Sequence, residues 1–177
     1  INVTPKTDQS AQDDFDSSEF LSAVAMGQEA MSVQLSFTHA MALVEVRADR
    51  VSPVPGFRKG DFSVTLPDVY PEVDFNLSTQ NPNIDWSTVR GDVKMYPVET
   101  TNGSFVYRAL VPAQQKAPGV MFGFEQYSAS LPTLAEINMV YKNDAAVEMK
   151  GGDAAVWAIT LDYGLNKTHK YKVGDVY

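Results

Sequence analysis

Two histidines, His39 and His169, stand far apart in a chain of 177 residues that contains no cysteine. They are all the imidazole chemistry there is, and the missing thiols remove disulfides, thiolate zinc sites and cysteine nucleophiles together. A protein metal site needs further histidines or carboxylates at matched spacing, and the sequence singles out no such set. Asp13, Asp14 and Asp16 lie close together, but the central glycine and closing glutamate of an EF-hand calcium loop are missing from their offsets. There is no Gly-x-Ser-x-Gly elbow, no Ser-x-x-Lys and no phosphate-cradling glycine loop. Glycoside hydrolysis needs two carboxylates facing each other across a cleft, and the 22 acidic residues supply many pairs without marking one. The sequence names no catalytic, metal or cofactor residue, and an enzyme is the minority reading.

Binding chemistry is better supplied. Trp86 sits in the loop-like stretch Asn83-Ile84-Asp85-Trp86, where an indole can stack on a sugar ring. With Tyr70 and Tyr127 it could form the shallow aromatic strip of a glycan-binding module. Four Asn-x-Ser/Thr triplets, at Asn2, Asn76, Asn102 and Asn166, matter only in a glycosylating secretory pathway. The net charge of −8 and pI near 4.6 repel phosphate backbones and anionic headgroups, which argues against nucleic acid and direct membrane-surface binding. No apolar run approaches the roughly 18 residues that span a bilayer. The chain opens at Ile1 in polar sequence without the basic and apolar stretches of a signal peptide. We therefore expect a mature form from which any export or anchoring segment has gone.

The elements that position these residues read as strands. Met31, Val33, Leu35, Phe37, His39, Met41 and Leu43 alternate with small or polar residues, a period of two that predicts one long strand with a buried face. His39 falls on that apolar face, where a lone histidine is normally a core or interface residue with a satisfied ring nitrogen. Beyond Leu43 the phase slips to Val44 and Val46 while Glu45 takes the other face, which predicts a bulge or kink. Phe62, Val64 and Leu66, then Val73, Phe75 and Leu77, read as a hairpin or a crossing between sheets around Pro67 to Pro71. Asn81-Pro82-Asn83 reads as a loop, and Val93 with Met95 as a short strand ended by Pro97. Strands are further expected at Phe105 to Val111, at Val120 to Phe124, at Ile137 to Tyr141 and at Val147 to Met149. The last two, separated from that one by Lys150-Gly151-Gly152-Asp153, lie at Ala155 to Tyr163, with Trp157 in the core, and at His169 to Val173. Only Ser17 to Met26 offers a short helix. Roughly nine to eleven short strands with turn signals between them predict an antiparallel sandwich or barrel rather than βαβ units.

Three parts follow. Residues 1–30 form a polar, acidic leader and lead-in segment, its first 19 residues solvated and partly mobile. Residues 31–163 form the sandwich. Residues 164–177 form a terminal strand or remnant leading to a second domain.

At Ser32 to Arg47, SVQLSFTHAMALVEVR, the sequence resembles the fimbrillin family of Bacteroidales, the subunits and accessory proteins of type V pili. The matching positions are Leu35, Phe37, His39, Ala40, Met41, Leu43, Val44 and Val46. Upstream, DSSEFLSAVA from Asp16 to Ala25 is similar to the acidic Phe-Leu segment that precedes this strand in the family. Downstream, VYRALVPAQQ from Val106 to Gln115 resembles its Val/Leu-Pro-x-Gln element, followed by a short apolar strand from Gly119 to Phe124.

The resemblance implies an all-β, transthyretin-like antiparallel sandwich, exported as an outer-membrane lipoprotein whose lipid-bearing cysteine precedes Ile1. It implies a pilus stalk, anchor or tip role, with other pilus subunits or further copies as partners through donor-strand exchange, and a host or bacterial surface receptor. Arg47 and Arg50 mark the processing site this would require, at the end of the long strand before the Pro53–Pro55 loop. Two other classes stay open on the residues alone, a surface glycan-binding module and a surface hydrolase.

Overall fold

The computed structural model describes residues 1–23, 25, 32–50, 62–76, 81–83, 89–98, 105–126, 138–161 and 172–173. The first half of the chain forms β1 (Asn2–Val3), helix α1 (Gln12–Asp16), β2 (Leu21–Ser22), β3 (Thr38–His39), β4 (Met41–Arg50), β5 (Phe62–Val69), β6 (Val73–Asn76) and β7 (Asn81–Asn83). The second half forms β8 (Gly91–Lys94), β9 (Tyr96–Val98), β10 (Phe105–Pro112), β11 (Gln114–Lys116), β12 (Gly119–Gln126), β13 (Asn138–Asn143), β14 (Val147–Met149), β15 (Ala154–Leu161) and β16 (Lys172–Val173).

Two sheets carry the architecture, one in the order β15-β4-β10-β9 and one in the order β16-β13-β12-β5-β8. Most pairings are antiparallel, but β15 runs parallel to β4 and β16 parallel to β13. The all-β sandwich expected from the strand pattern is the fold observed, with those two parallel pairs added. The chain changes sheets at Met95, which is 1% exposed and donates its N–H to the Val64 carbonyl between β8 and β9. Pro97 does not end that strand: β9 is an edge strand, where a residue without an N–H costs no ladder bond. The same physics puts Asn81-Pro82-Asn83 into β7, at the edge of the small sheet β1-β6-β7, instead of a loop. β5 and β6 belong to different sheets, so the Pro67–Pro71 stretch is a crossing and not a hairpin.

The main core lies between the two large sheets. Ala42, Val44, Val46 and Ala48 of β4 meet Val64, Leu66, Phe122 and Phe124 of the facing sheet. Phe122 is fully buried, edge-on to Trp157 at a ring-centroid distance of 5.3 Å and near Tyr141 at 6.1 Å. The phase slip at Leu43 is not a bulge. β4 pairs β10 without interruption from Met41↔Pro112 to Ala48↔Phe105. Apolar residues appear at both parities there because both faces of the strand are covered.

The second cover is the N-terminal segment, which is docked and not a solvated leader. Met41, Leu43 and Leu110 point away from the main core into a smaller cluster with Phe15 and Phe20. Polar groups hold this segment where apolar ones are few. Gln9 is fully buried, and its amide donates to the Leu110 carbonyl at 2.8 Å and accepts from the Leu110 N–H at 2.9 Å. Leu110 lies two residues past Arg108, the last residue that β9 pairs, so one side chain continues the ladder where the strand has stopped. Gln114 does the same for Tyr70 just beyond β5, accepting its N–H at 2.8 Å and donating to its carbonyl at 3.1 Å. Each removes a buried donor and acceptor that would otherwise cost about 1–3 kcal/mol apiece. The helix forms at Gln12–Asp16, ahead of the expected Ser17–Met26, and Asp13 and Asp14 lie in its first turn, where acids suit the dipole.

The largest departure from expectation concerns residues 32–37. They form no strand, and Val33, Leu35 and Phe37 are 58%, 48% and 62% exposed. The long strand begins at Met41, and Val33, Leu35, Phe37 and His39 do not face the core, while Met31 lies outside the described residues.

Candidate functional site

The outer face of the β15-β4-β10-β9 sheet, together with its β15 edge, is where unused bonding capacity collects. β15 pairs only with β4 among the described residues, in register from Ala154↔Leu43 to Leu161↔Arg50. Its sequence, Ala-Ala-Val-Trp-Ala-Ile-Thr-Leu, holds no charge and no proline. Ile159 is buried in the core and Trp157 packs against it, whereas Val156, beside Glu45, is 48% exposed. Edge strands normally carry charges, prolines or bulges that stop another strand from adding. This one carries none.

In the middle of the outer face, Glu45 is 3% exposed and bridges two arginines. One carboxylate oxygen accepts from Arg47 Nε and the other from Arg108 Nε, each at 2.6 Å. Burial pushes the Glu45 carboxyl up, but the two guanidiniums outweigh burial and hold it below the usual carboxylate range.

Beside Arg108 lies a groove of about 390 Å³ between the N-terminal segment and the turn before β15. Its floor is Phe15, Met41, Leu43 and Leu110, and its rim carries Asp16, Glu19, His39 and Asp153. The turn is fixed by glycine. A Cβ on Gly151 would sit 2.6 Å from the Ala40 carbonyl oxygen, and Gly152 takes φ +77. Gly152 donates to the Met41 carbonyl at 3.0 Å and Leu43 donates to the Asp153 carbonyl at 3.0 Å, which sets Asp153 on the rim. Glu19 meets His39 Nδ1 at 3.1 Å, and Asp16 accepts from Gln12 at 3.2 Å. The Asp153 carboxylate has no hydrogen-bond or ion-pair partner among the described residues.

The residues singled out from the sequence scatter. Arg47 lies inside β4, paired with Val106 on one side and Ala158 on the other, and Arg50 is the last residue of that strand. The long strand, expected to end at Arg47 or Arg50, runs to Arg50, and cleavage at Arg47 would need its backbone freed from both neighbours. Tyr70 is 9% exposed, and the Arg90 guanidinium lies 4.6 Å from its ring centroid, so it offers no open stacking face. Trp86, Tyr127 and His169 lie outside the described residues, as do Asn102 and Asn166. His39 is not in the core: its side chain is 61% exposed, though Glu19 does satisfy a ring nitrogen. Glu45, Arg108 and Asp153 went unmarked as site residues. The signal available for Glu45 was a charge inside an apolar strand.

Among the described residues no helix is long and apolar enough to cross a membrane, and no group of three or more His, Asp or Glu side chains is placed to hold a metal ion.

No protein-family model matches the sequence, and no curated protein matches it. Solved structures do. A candidate cell adhesion protein from Bacteroides ovatus ATCC 8483 superposes with a TM-score of 0.62 at 17% identity, over 92% of this chain and 55% of that one. Another from Bacteroides uniformis ATCC 8492 gives 0.53 at 13% identity, over 92% and 60%. A fimbrial protein from Bacteroides ovatus ATCC 8483 gives 0.39 at 15% identity, over 93% and 31%, a score too low to define a shared fold. The chain is thus an all-β sandwich of the kind found in Bacteroides candidate cell adhesion proteins, the fold that the fimbrillin resemblance implied. It spans a little over half the length of the first two structures.

Proposed function

We propose that this chain is a non-enzymatic domain of a cell-surface adhesion protein, fimbrillin-like, that joins its partners by strand addition at the β15 edge. The observation that carries the reading is the fold shared with a candidate cell adhesion protein across 92% of the chain. The uncharged β15 edge, unpaired on its far side among the described residues, supports the assembly step, because an incoming strand would complete its ladder. The exposed alternating residues Val33, Leu35 and Phe37 supply a second surface suited to another chain. The full protein is outer-membrane-anchored or built into fimbriae, with other pilus subunits or copies of itself as partners and a host or bacterial surface receptor as its target. Displacement of β4 is not part of the proposal, since that strand is paired on both sides.

Antibodies raised against the purified domain test it on intact cells of the bacterium that makes it. Labelling of unlysed cells, high-mass material in sheared supernatants and a several-fold loss of adherence on gene deletion are expected. Labelling only after lysis, or unchanged adherence, overturns the reading.

A further inference from the structure

We propose that the groove beneath α1 takes a lysine or arginine side chain of a partner polypeptide. This deepens the adhesion reading, on which it rests, by naming the chemistry of the partner.

The argument is an accounting of charge over an apolar floor. One guanidinium lines the groove, Arg108, and it shares the Glu45 carboxylate with Arg47 at 2.6 Å; against it stand three lining carboxylates, of which Glu19 meets His39 Nδ1 at 3.1 Å. Two acids line it without a cation among the described residues, Asp16 on α1 and Asp153 across the groove on the β15 turn. Asp16 has one amide contact, from Gln12, and Asp153 has none. The surplus charge is therefore negative and lies at the rim, while Phe15, Met41, Leu43 and Leu110 leave apolar surface beneath it. A side chain with an alkyl stem and a cationic tip fits both parts: the stem covers the floor and the tip stays at the wet, acidic rim. An anion would meet the two unmatched carboxylates, and an uncharged alkyl chain would leave them unused. The floor is built before any partner arrives, since the N-terminal segment is fixed by Gln9 and by Phe15 stacked on Tyr96 at 5.3 Å.

The probe is acetyl-Gly-Lys-Gly-amide, titrated into the whole chain and followed by amide NMR, with norleucine and glutamate in place of lysine as controls. The lysine peptide should shift the signals of Leu43, Gly152, Asp153 and Ala154. It should bind about tenfold more tightly than the norleucine peptide, a difference of about 1.4 kcal/mol, and weaken in high salt. D16N and D153N should each weaken it several-fold while leaving the rest of the spectrum in place. Equal shifts from all three peptides, no shift at millimolar lysine peptide, or unchanged binding in the D16N/D153N double variant overturns the proposal. Cell labelling reads the adhesion function separately. Labelled cells with a failed titration retire the lysine partner alone, whereas a successful titration with unlabelled cells retires the adhesion reading.

Discussion

The two faces of β4 are held by different physics. Its inner face presents Ala42, Val44, Val46 and Ala48, all at most 1% exposed, to a dry layer of aliphatic and aromatic side chains. Its outer face presents Met41, Leu43, Glu45 and Arg47: Phe15 and Phe20 pack with the first two, Glu45 is buried and bridges two arginines, and the Arg47 side chain is 57% exposed. Burial of apolar area is non-directional, so the inner face tolerates any partner that fits. Hydrogen bonds and charge pairs are directional and leave valences when the cover is incomplete. The difference separates the face that carries the stability from the face on which the proposed binding rests.

The largest effect should come from the inner layer. Phe122→Ala removes a fully buried ring that touches Trp157 and Tyr141, and should lower unfolding free energy by about 3–5 kcal/mol in urea titrations. A loss below about 1 kcal/mol would mean that the two sheets are not packed as described.

A smaller effect separates the outer face. Glu45→Gln keeps the shape and removes the charge that pairs Arg47 and Arg108. Because those arginine side chains are 57% and 39% exposed, solvent screens the pair and the loss at pH 7 should be about 1 kcal/mol. Its pH dependence has a definite sign. The folded-state pKa of Glu45 is depressed, so its contribution is present above the unfolded value near 4.5 and is lost as pH falls through the folded value. The gap between wild type and variant should therefore close below about pH 4.5. A gap that widens on acidification would show that the arginines do not govern the carboxyl.

The inner layer was the legible part of the fold. Val64 and Leu66, Phe105 and Tyr107, and Phe122 and Phe124 alternate in the sequence and are all buried there, as Val73 and Phe75 are in the smaller cluster, because a period of two records burial on one face whatever covers it. What alternation does not record is whether anything covers that face. Val33, Leu35 and Phe37 carry the same signal as those pairs and lie in the open. The docking of the N-terminal segment was illegible for a related reason. It depends on single amides, Gln9 above all, bonding to backbone about a hundred residues away, and polar composition reads as solvation until the partner is known. The groove combines α1, the β3–β4 junction and the turn before β15, and no local pattern announces such a meeting. Only Gly151-Gly152, a turn signal in the sequence, marked one of its walls.

The smallest effect tests that boundary most directly. From the alternation alone, Phe37→Ala should cost as much as any core truncation. In the structure the ring is 62% exposed on a segment without strand pairing, so the cost to folding should lie within about 0.5 kcal/mol. Urea titrations of Phe37→Ala and Phe122→Ala under one condition make the comparison. If the two losses match, the 32–37 segment is packed in solution and the division into a stabilising inner layer and a binding outer surface fails. If Phe37→Ala is silent in folding yet lowers the high-mass fraction of sheared material, the ring serves a contact between chains.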